Sequence, residues 1–181
     1  MTKRSLILFF FISLFYTAEA QFDTTFAKLR MRLCADSLVQ GFKTRNWELY
    51  SRYSNPTLIG ATGGKYEFIV LVREMFSKVP DSAWKKYEPG RILQVVSNGK
   101  DLQGVIELNS VLEWQGVRVT ATAYMVAESW NNGYTWTFFD SFGDVNGAKV
   151  IIPTLSDELV IPAKNEKIEP LGEVTQKPTQ Q

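Results

Sequence analysis

The stretch LQGVIELNSVLEW, residues 102–114, changes sides at every position. Leu102, Gly104, Ile106, Leu108, Ser110, Leu112 and Trp114 fall on one face, and Gln103, Glu107, Asn109 and Glu113 on the other. A period of two is that of a strand with one face on a core. Just before it stands NGKD, residues 98–101. Its Asn-Gly pair accepts the positive φ values of a tight hairpin turn. The run RILQVVS, residues 91–97, is then the antiparallel partner. Gln115-Gly116 turns the chain again into a third strand over 117–128, and residues 134–142 make a fourth. Four consecutive strands joined by short turns predict an antiparallel meander.

Upstream of the meander the period is helical. Asp23 and Thr24 can cap a helix that runs on toward residue 53. Phe26, Leu29, Leu33, Leu38 and Phe42 recur at roughly helical spacing and predict its core face. Gly41 and the TRN of Thr44–Asn46 predict a break, after which Trp47, Leu49, Tyr50 and Tyr53 ride on a second piece. Asn55-Pro56 stops it, because a residue before proline disfavours the α region. Gly60–Gly64 reads as a loop. A further helix over 65–78 carries Phe68, Val72, Met75 and Phe76 and ends at Pro80-Asp81. Gly63-Gly64 before a helix resembles an anion-binding turn, but no P-loop lysine follows the pattern, and a tight turn is the reading.

Both ends differ in character from the middle. Lys3-Arg4, the apolar run Leu6–Phe15 and Ala18-Glu19-Ala20 have the order of a secretory signal peptide over residues 1–20. Cleavage after Ala20 gives a mature chain from Gln21, in the periplasm or secreted; the other reading is an uncleaved anchor. Residues 21–163 form one domain in this reading. Within it, VIIPTLSDELVIP, residues 150–162, alternates short apolar runs with Pro153 and Pro162 and reads as an extended segment lying on the body. Residues 164–181 are rich in Glu, Lys, Pro and Gln and read as a disordered tail.

Composition removes several classes of chemistry. Histidine is absent, which excludes Ser-His-Asp and Cys-His nucleophiles and His-based zinc sites. No metal and no cofactor is expected. Cys34 is the single cysteine, so no internal disulfide can form; it reads as a buried small hydrophobe or, alternatively, as a reactive thiol. Without Lys3, Arg4 and Glu19, the 20 Lys+Arg and 19 Asp+Glu become 18 and 18. A neutral chain without a basic cluster argues against nucleic acid as a partner, and against attraction to a membrane after signal cleavage.

One short motif invites a functional reading. SWNNGYTW, residues 129–136, has the spacing of the Asp-box of sialidases, with Asn131 in the place of the Asp. Those enzymes carry several copies on propeller blades of ~40–50 residues each. A single copy in a chain of this length is a structural turn, built on Ser129, Asn131 and Gly133 with Trp136 packed beneath.

Helices first, then a curved meander that covers them, is an order that resembles the NTF2-like (cystatin-like, SnoaL-type) α+β cone. The likeness is carried by LVQGFKTRNWELYSRYSNP, by GGKYEF and by the long strands ending in TWTFFDSF, over roughly residues 26–142. It points to exported, uncharacterised members of Bacteroidetes-type bacteria. The resemblance implies a pocket between the helices and the concave sheet face. From the alternation, Tyr53, Trp114, Tyr124, Trp136, Phe138 and Asp140 are the candidates to line it. No residue set matches the family's enzymes position by position. The leading expectation is therefore a non-catalytic module binding a small apolar or aromatic ligand or a protein partner, with a homodimer through the sheet face possible in principle. The alternative is a lyase, isomerase or hydrolase with Asp140 as base and Tyr53 or Tyr124 as hydrogen-bond donor.

Overall fold

The computed structural model describes residues 22–99 and 101–171. The expected signal peptide, the cleavage point and residues 172–181 lie outside the described residues. Helices α1 (Thr24–Lys43), α2 (Trp47–Tyr53), α3 (Pro56–Ala61) and α4 (Lys65–Ser77) precede strands β1 (Trp84–Ser97), β2 (Leu102–Trp114), β3 (Val117–Ser129) and β4 (Thr137–Asp140). Helix α5 (Val145–Ile151) and strand β5 (Asn165–Pro170) follow. The fold is α+β, with the N-terminal helices packed on a curved, open antiparallel sheet.

Side-chain caps set the helix boundaries. Asp23 accepts the Phe26 N–H at 3.0 Å, Asn46 the Leu49 N–H at 3.0 Å, and Asn55 the Thr57 N–H at 2.9 Å. Each satisfies an amide that the first turn leaves without a carbonyl. Pro56 ends α2 and also opens α3, a short helix absent from the sequence reading, because proline is well placed at a first helical position. The core face of α1 is a correction. Ala27, Met31, Cys34, Ala35, Leu38, Val39 and Phe42 face inward, whereas Leu29 and Leu33 are 58% and 47% exposed. α1 lies close on the sheet along this face, where Ala27 and Ala35 leave room and Met31 reaches Gly104: a Cβ on Gly104 would clash with the Met31 methyl.

Strand β1 begins at Trp84, not at residue 91. Its first half hides its period behind register shifts after Trp84 and after Pro89. Lys85 is the extra residue of the first, so Trp84 and Tyr87, three apart, pair with Leu112 and Ser110 and share a face. β2 pairs with β3 without interruption from Leu102↔Ser129 to Trp114↔Val117.

The other edge of β3 is closed in two pieces. β4 pairs with Met125–Glu128, and β5 with Val117–Thr122, both antiparallel to β3. Two expectations fail here. The fourth strand shortens to Thr137–Asp140, because the preceding turn extends to Trp136. Residues 165–170 are an edge strand and not part of a disordered tail, since β3 offers them a free backbone ladder.

Residues 141–164, between the two pieces, cross to the second face of the sheet. They contain α5, a helix absent from the sequence reading, which overlaps the segment read as extended only at residues 150–151. Ala148, Ile152, Leu155, Leu159 and Ile161 pack there on Val96, Val105, Val126 and Phe139 as a second apolar core. Two glutamines bind the crossing backbone from the sheet. Gln103 donates to the Thr154 carbonyl at 3.0 Å and accepts from Ser156 N–H at 2.8 Å. Gln94 donates to the Glu158 carbonyl at 2.7 Å and accepts from Val160 N–H at 2.9 Å. The near half of β2 is thus buried on both faces, so this part of the sheet is not open for dimerisation as the sequence reading assumed. Among the described residues, no helix is long and apolar enough to cross a membrane.

Candidate functional site

Cross-strand pairing assigns each candidate residue to a face. Asp140 stands opposite Met125, which stands opposite Ile106, and all three lie on the face that receives α1. Tyr124 pairs with Glu107 and packs with the second core, so it lies on the opposite face from Asp140 and cannot share a pocket with it. Trp114 closes the far end of β2 opposite Val117 and belongs to none of the three apolar clusters. Phe138, 1% exposed, is enclosed core, and Tyr53 packs at its margin. The six candidates do not line one cavity.

Trp136 belongs to the turn and not to a strand. Asn131 Oδ1 accepts from the Ser129 hydroxyl at 3.0 Å and from Thr135 N–H at 2.9 Å. Gly133 N–H donates to Ser129 Oγ at 3.0 Å, and Trp136 Nε1–H to the Gly133 carbonyl at 3.0 Å. The turn uses positive φ at Asn132 and Gly133, residue types that tolerate it. Tyr134 leaves the core and meets Phe26 edge-on at 4.9 Å.

Asp140 has neighbours that the sequence reading missed. It is half-buried at the end of β4, and its Oδ1 accepts the Phe142 N–H at 2.7 Å. Burial raises its carboxyl above the ordinary value, with the Phe142 N–H and the Lys164 charge acting the other way. The phenol of Tyr50 on α2 is pushed up to about 12, by burial first and then by the Asp140 charge. The phenol of Tyr87 on β1 is raised well above its ordinary value by burial, then by Tyr50 and Asp140. Two phenols that stay neutral at pH 7 therefore lie within electrostatic reach of one carboxyl. Among the described residues no hydrogen bond joins the three, and Asp140 Oδ1 is taken by the Phe142 N–H. The surroundings are aromatic: Tyr50 stacks on Phe68 at 6.3 Å and meets Trp47 at 6.1 Å, and Tyr87 lies 4.1 Å from Phe42.

A second buried carboxyl lies on the other face. Glu128 is 4% exposed and accepts from Asn55 Nδ2 at 3.2 Å. Burial raises its pKa, opposed by Asn55. The folded state holds this proton more tightly than the unfolded state, so stability is fullest at low pH and declines as pH rises from the ordinary carboxyl value through the raised one. Glu128→Gln keeps the acceptor for Asn55 and removes the titration. We expect a smaller decline between pH 4 and pH 7 in urea unfolding, with Asp140 acting in the same direction as Glu128 and Glu107 in the opposite one; an unchanged pH profile would refute the assignment.

Glu107 is different in kind. Arg91 holds it through a guanidinium contact at 2.7 Å and a backbone N–H at 2.9 Å, which keeps its carboxyl below the ordinary value. Its acceptor capacity is committed to the β1–β2 pairing. Among the described residues no group of three or more His, Cys, Asp or Glu could hold a metal ion. No protein-family model matches this chain, and neither a curated protein nor a solved structure shows significant similarity to it.

Proposed function

We propose that the protein is an exported NTF2-like module that holds a small, largely apolar or aromatic molecule through one oxygen-bearing group. The observation that carries this reading is the grouping of Asp140 with the Tyr50 and Tyr87 phenols inside an aromatic layer. Phenols donate to a carbonyl or phenolate, and a carboxyl with a raised pKa can donate or accept. Export rests on Lys3-Arg4, the apolar run and Ala18-Glu19-Ala20.

The same grouping favours one second reading. A carboxylate base within electrostatic reach of phenol donors is suited to moving a proton next to a carbonyl. Asp140 keeps the role expected of it, with Tyr50 and Tyr87 in place of Tyr53 and Tyr124.

Two probes separate the readings. 2-Naphthol should raise the melting temperature, and Tyr50→Phe and Tyr87→Phe should each weaken its binding by about fivefold, the worth of one partly screened hydrogen bond. With 2-tetralone in deuterated water, NMR reads exchange of the α-protons. Exchange that Asp140→Asn abolishes supports the enzyme; binding without exchange supports the module. Binding unaffected by all three variants would place the ligand elsewhere.

A further inference from the structure

A cleft of about 310 Å³ opens beside the aromatic layer, between the end of α1, residues 81–83 and the first half of β1. Its size is at the low end for small-molecule sites, enough for a single-ring ligand. Three of its residues form an aromatic corner. Phe42 lies 5.2 Å from Trp84 and 4.1 Å from Tyr87, and Trp84 lies 5.4 Å from Tyr87, with the Phe42–Trp84 and Trp84–Tyr87 pairs edge-on. Trp84 and Tyr87 are half-buried and are the rings that a planar guest could meet, while Phe42, 2% exposed, backs them from the core.

The charges around this corner do not cancel evenly. Asp81 is held by Arg45, whose Nε stands 2.6 Å from its Oδ1. Glu88 is held by Lys86 at 2.9 Å. Lys85 turns away, donating to the Ser82 carbonyl at 2.9 Å and lying 3.8 Å from Glu113. Both carboxylates of the cleft thus have a paired cation; Lys43, the last residue of α1, makes no close ion pair among the described residues, although its charge, with that of Arg32, also acts on Glu88. The Trp84 indole N–H is a further donor without a partner: it is buried and has no acceptor among the described residues. Such a group is rare in folded proteins, and an acceptor that reached it would remove an unfavourable term.

We propose that this cleft binds a small planar aromatic carboxylate, with the ring in the Phe42–Trp84–Tyr87 corner and the carboxylate toward Lys43. The site adjoins the Asp140 group and shares Tyr87 with it, whereas Lys43 and Trp84 belong to the cleft alone, so the lysine variants test the cleft without touching the Asp140 reading.

Benzoate is the probe, titrated into the full chain by calorimetry and followed by tryptophan fluorescence; benzyl alcohol is the neutral control. Lys43→Gln removes the charge at an exposed position and leaves the packing intact. Lys28→Gln, at the opposite end of α1, removes an equal charge elsewhere. Benzoate should bind and quench, and benzyl alcohol should bind at least about fivefold more weakly, the scale of one charge-assisted, partly screened contact. Lys43→Gln should lose the same factor and Lys28→Gln none. No saturable benzoate binding, equal affinity for the alcohol, or equal losses in the two lysine variants would overturn the proposal and leave Lys43 as a helix-terminal cation only.

Discussion

Trp136→Ala lowers the free energy of unfolding by about 3–5 kcal/mol, the usual range for removing a fully buried indole. The side chain has no exposed surface and packs in the cluster that joins α1 to the sheet through Met31, Leu38, Ile106 and Phe138. Its Nε1–H also satisfies the Gly133 carbonyl at 3.0 Å, so the substitution empties a core site and leaves a turn carbonyl without its donor. A domain of this size is stable by about 5–15 kcal/mol, so the change removes a large share. Trp136→Phe separates the two effects: it keeps most of the volume and loses the hydrogen bond, at about 1 kcal/mol plus a smaller cavity term. Urea unfolding measures both. An alanine variant within 1 kcal/mol of the parent would show that the turn does not anchor the core.

Gly41→Ala is expected to destabilise by about 1–3 kcal/mol, the range for overpacking a well-filled contact. Propensity alone predicts the reverse, since alanine is better than glycine inside a helix by about 1 kcal/mol. Contact decides the sign. A Cβ at position 41 would stand 2.6 Å from Tyr50 N and 3.0 Å from Tyr50 Cα, and backbone cannot rotate away as a side chain can. α2 must therefore shift from α1, and Tyr50 shifts with it. The variant should lose 2-naphthol affinity together with stability, visible in near-ultraviolet circular dichroism of the aromatic layer. A stabilised variant with unchanged affinity would mean that the two helices have room to spare.

The legibility of the chain follows from how much of each signal is local. β2 was readable to its end residues because its alternation is unbroken and Asn98-Gly99 marks the turn before it. α4 was readable because Gly63-Gly64 and Pro80 bracket it. The first half of β1 was not, because the bulge at Lys85 places Trp84 and Tyr87 three apart and destroys the period. That loss carries the candidate site with it: no local pattern sets Tyr87 near Asp140, and Tyr50 reads from sequence only as one residue of a helix. Face assignments suffered in the same way. Leu29 and Leu33 are apolar and at helical spacing, yet the inner face runs through Ala27, Met31, Ala35 and Leu38, where α1 comes close to the sheet. Tyr124 went to the wrong wall because burial on both faces of a sheet blurs inside and outside. The second core was hidden for a related reason: its residues arrive in short runs around prolines, and only the bare face of the sheet makes them a layer.

The divided edge of β3 has a kinetic consequence. β1, β2 and β3 meet through short turns, so their pairing closes small loops and can form early. β5 reaches Val117–Thr122 only after residues 141–164 have crossed the sheet and returned, a much longer loop to close. The segment also brings little apolar surface of its own, since Ile168 stays 63% exposed. Pairing of β5 should therefore come late, and until it does Val117–Thr122 presents unpaired N–H and C=O groups to any neighbouring chain. Once in place, β5 offers an outer edge carrying Lys167 and Glu169 as a charged pair, a surface poorly suited to receiving another strand. At this edge, self-association is thus a hazard of the folding chain at high concentration rather than of the finished one.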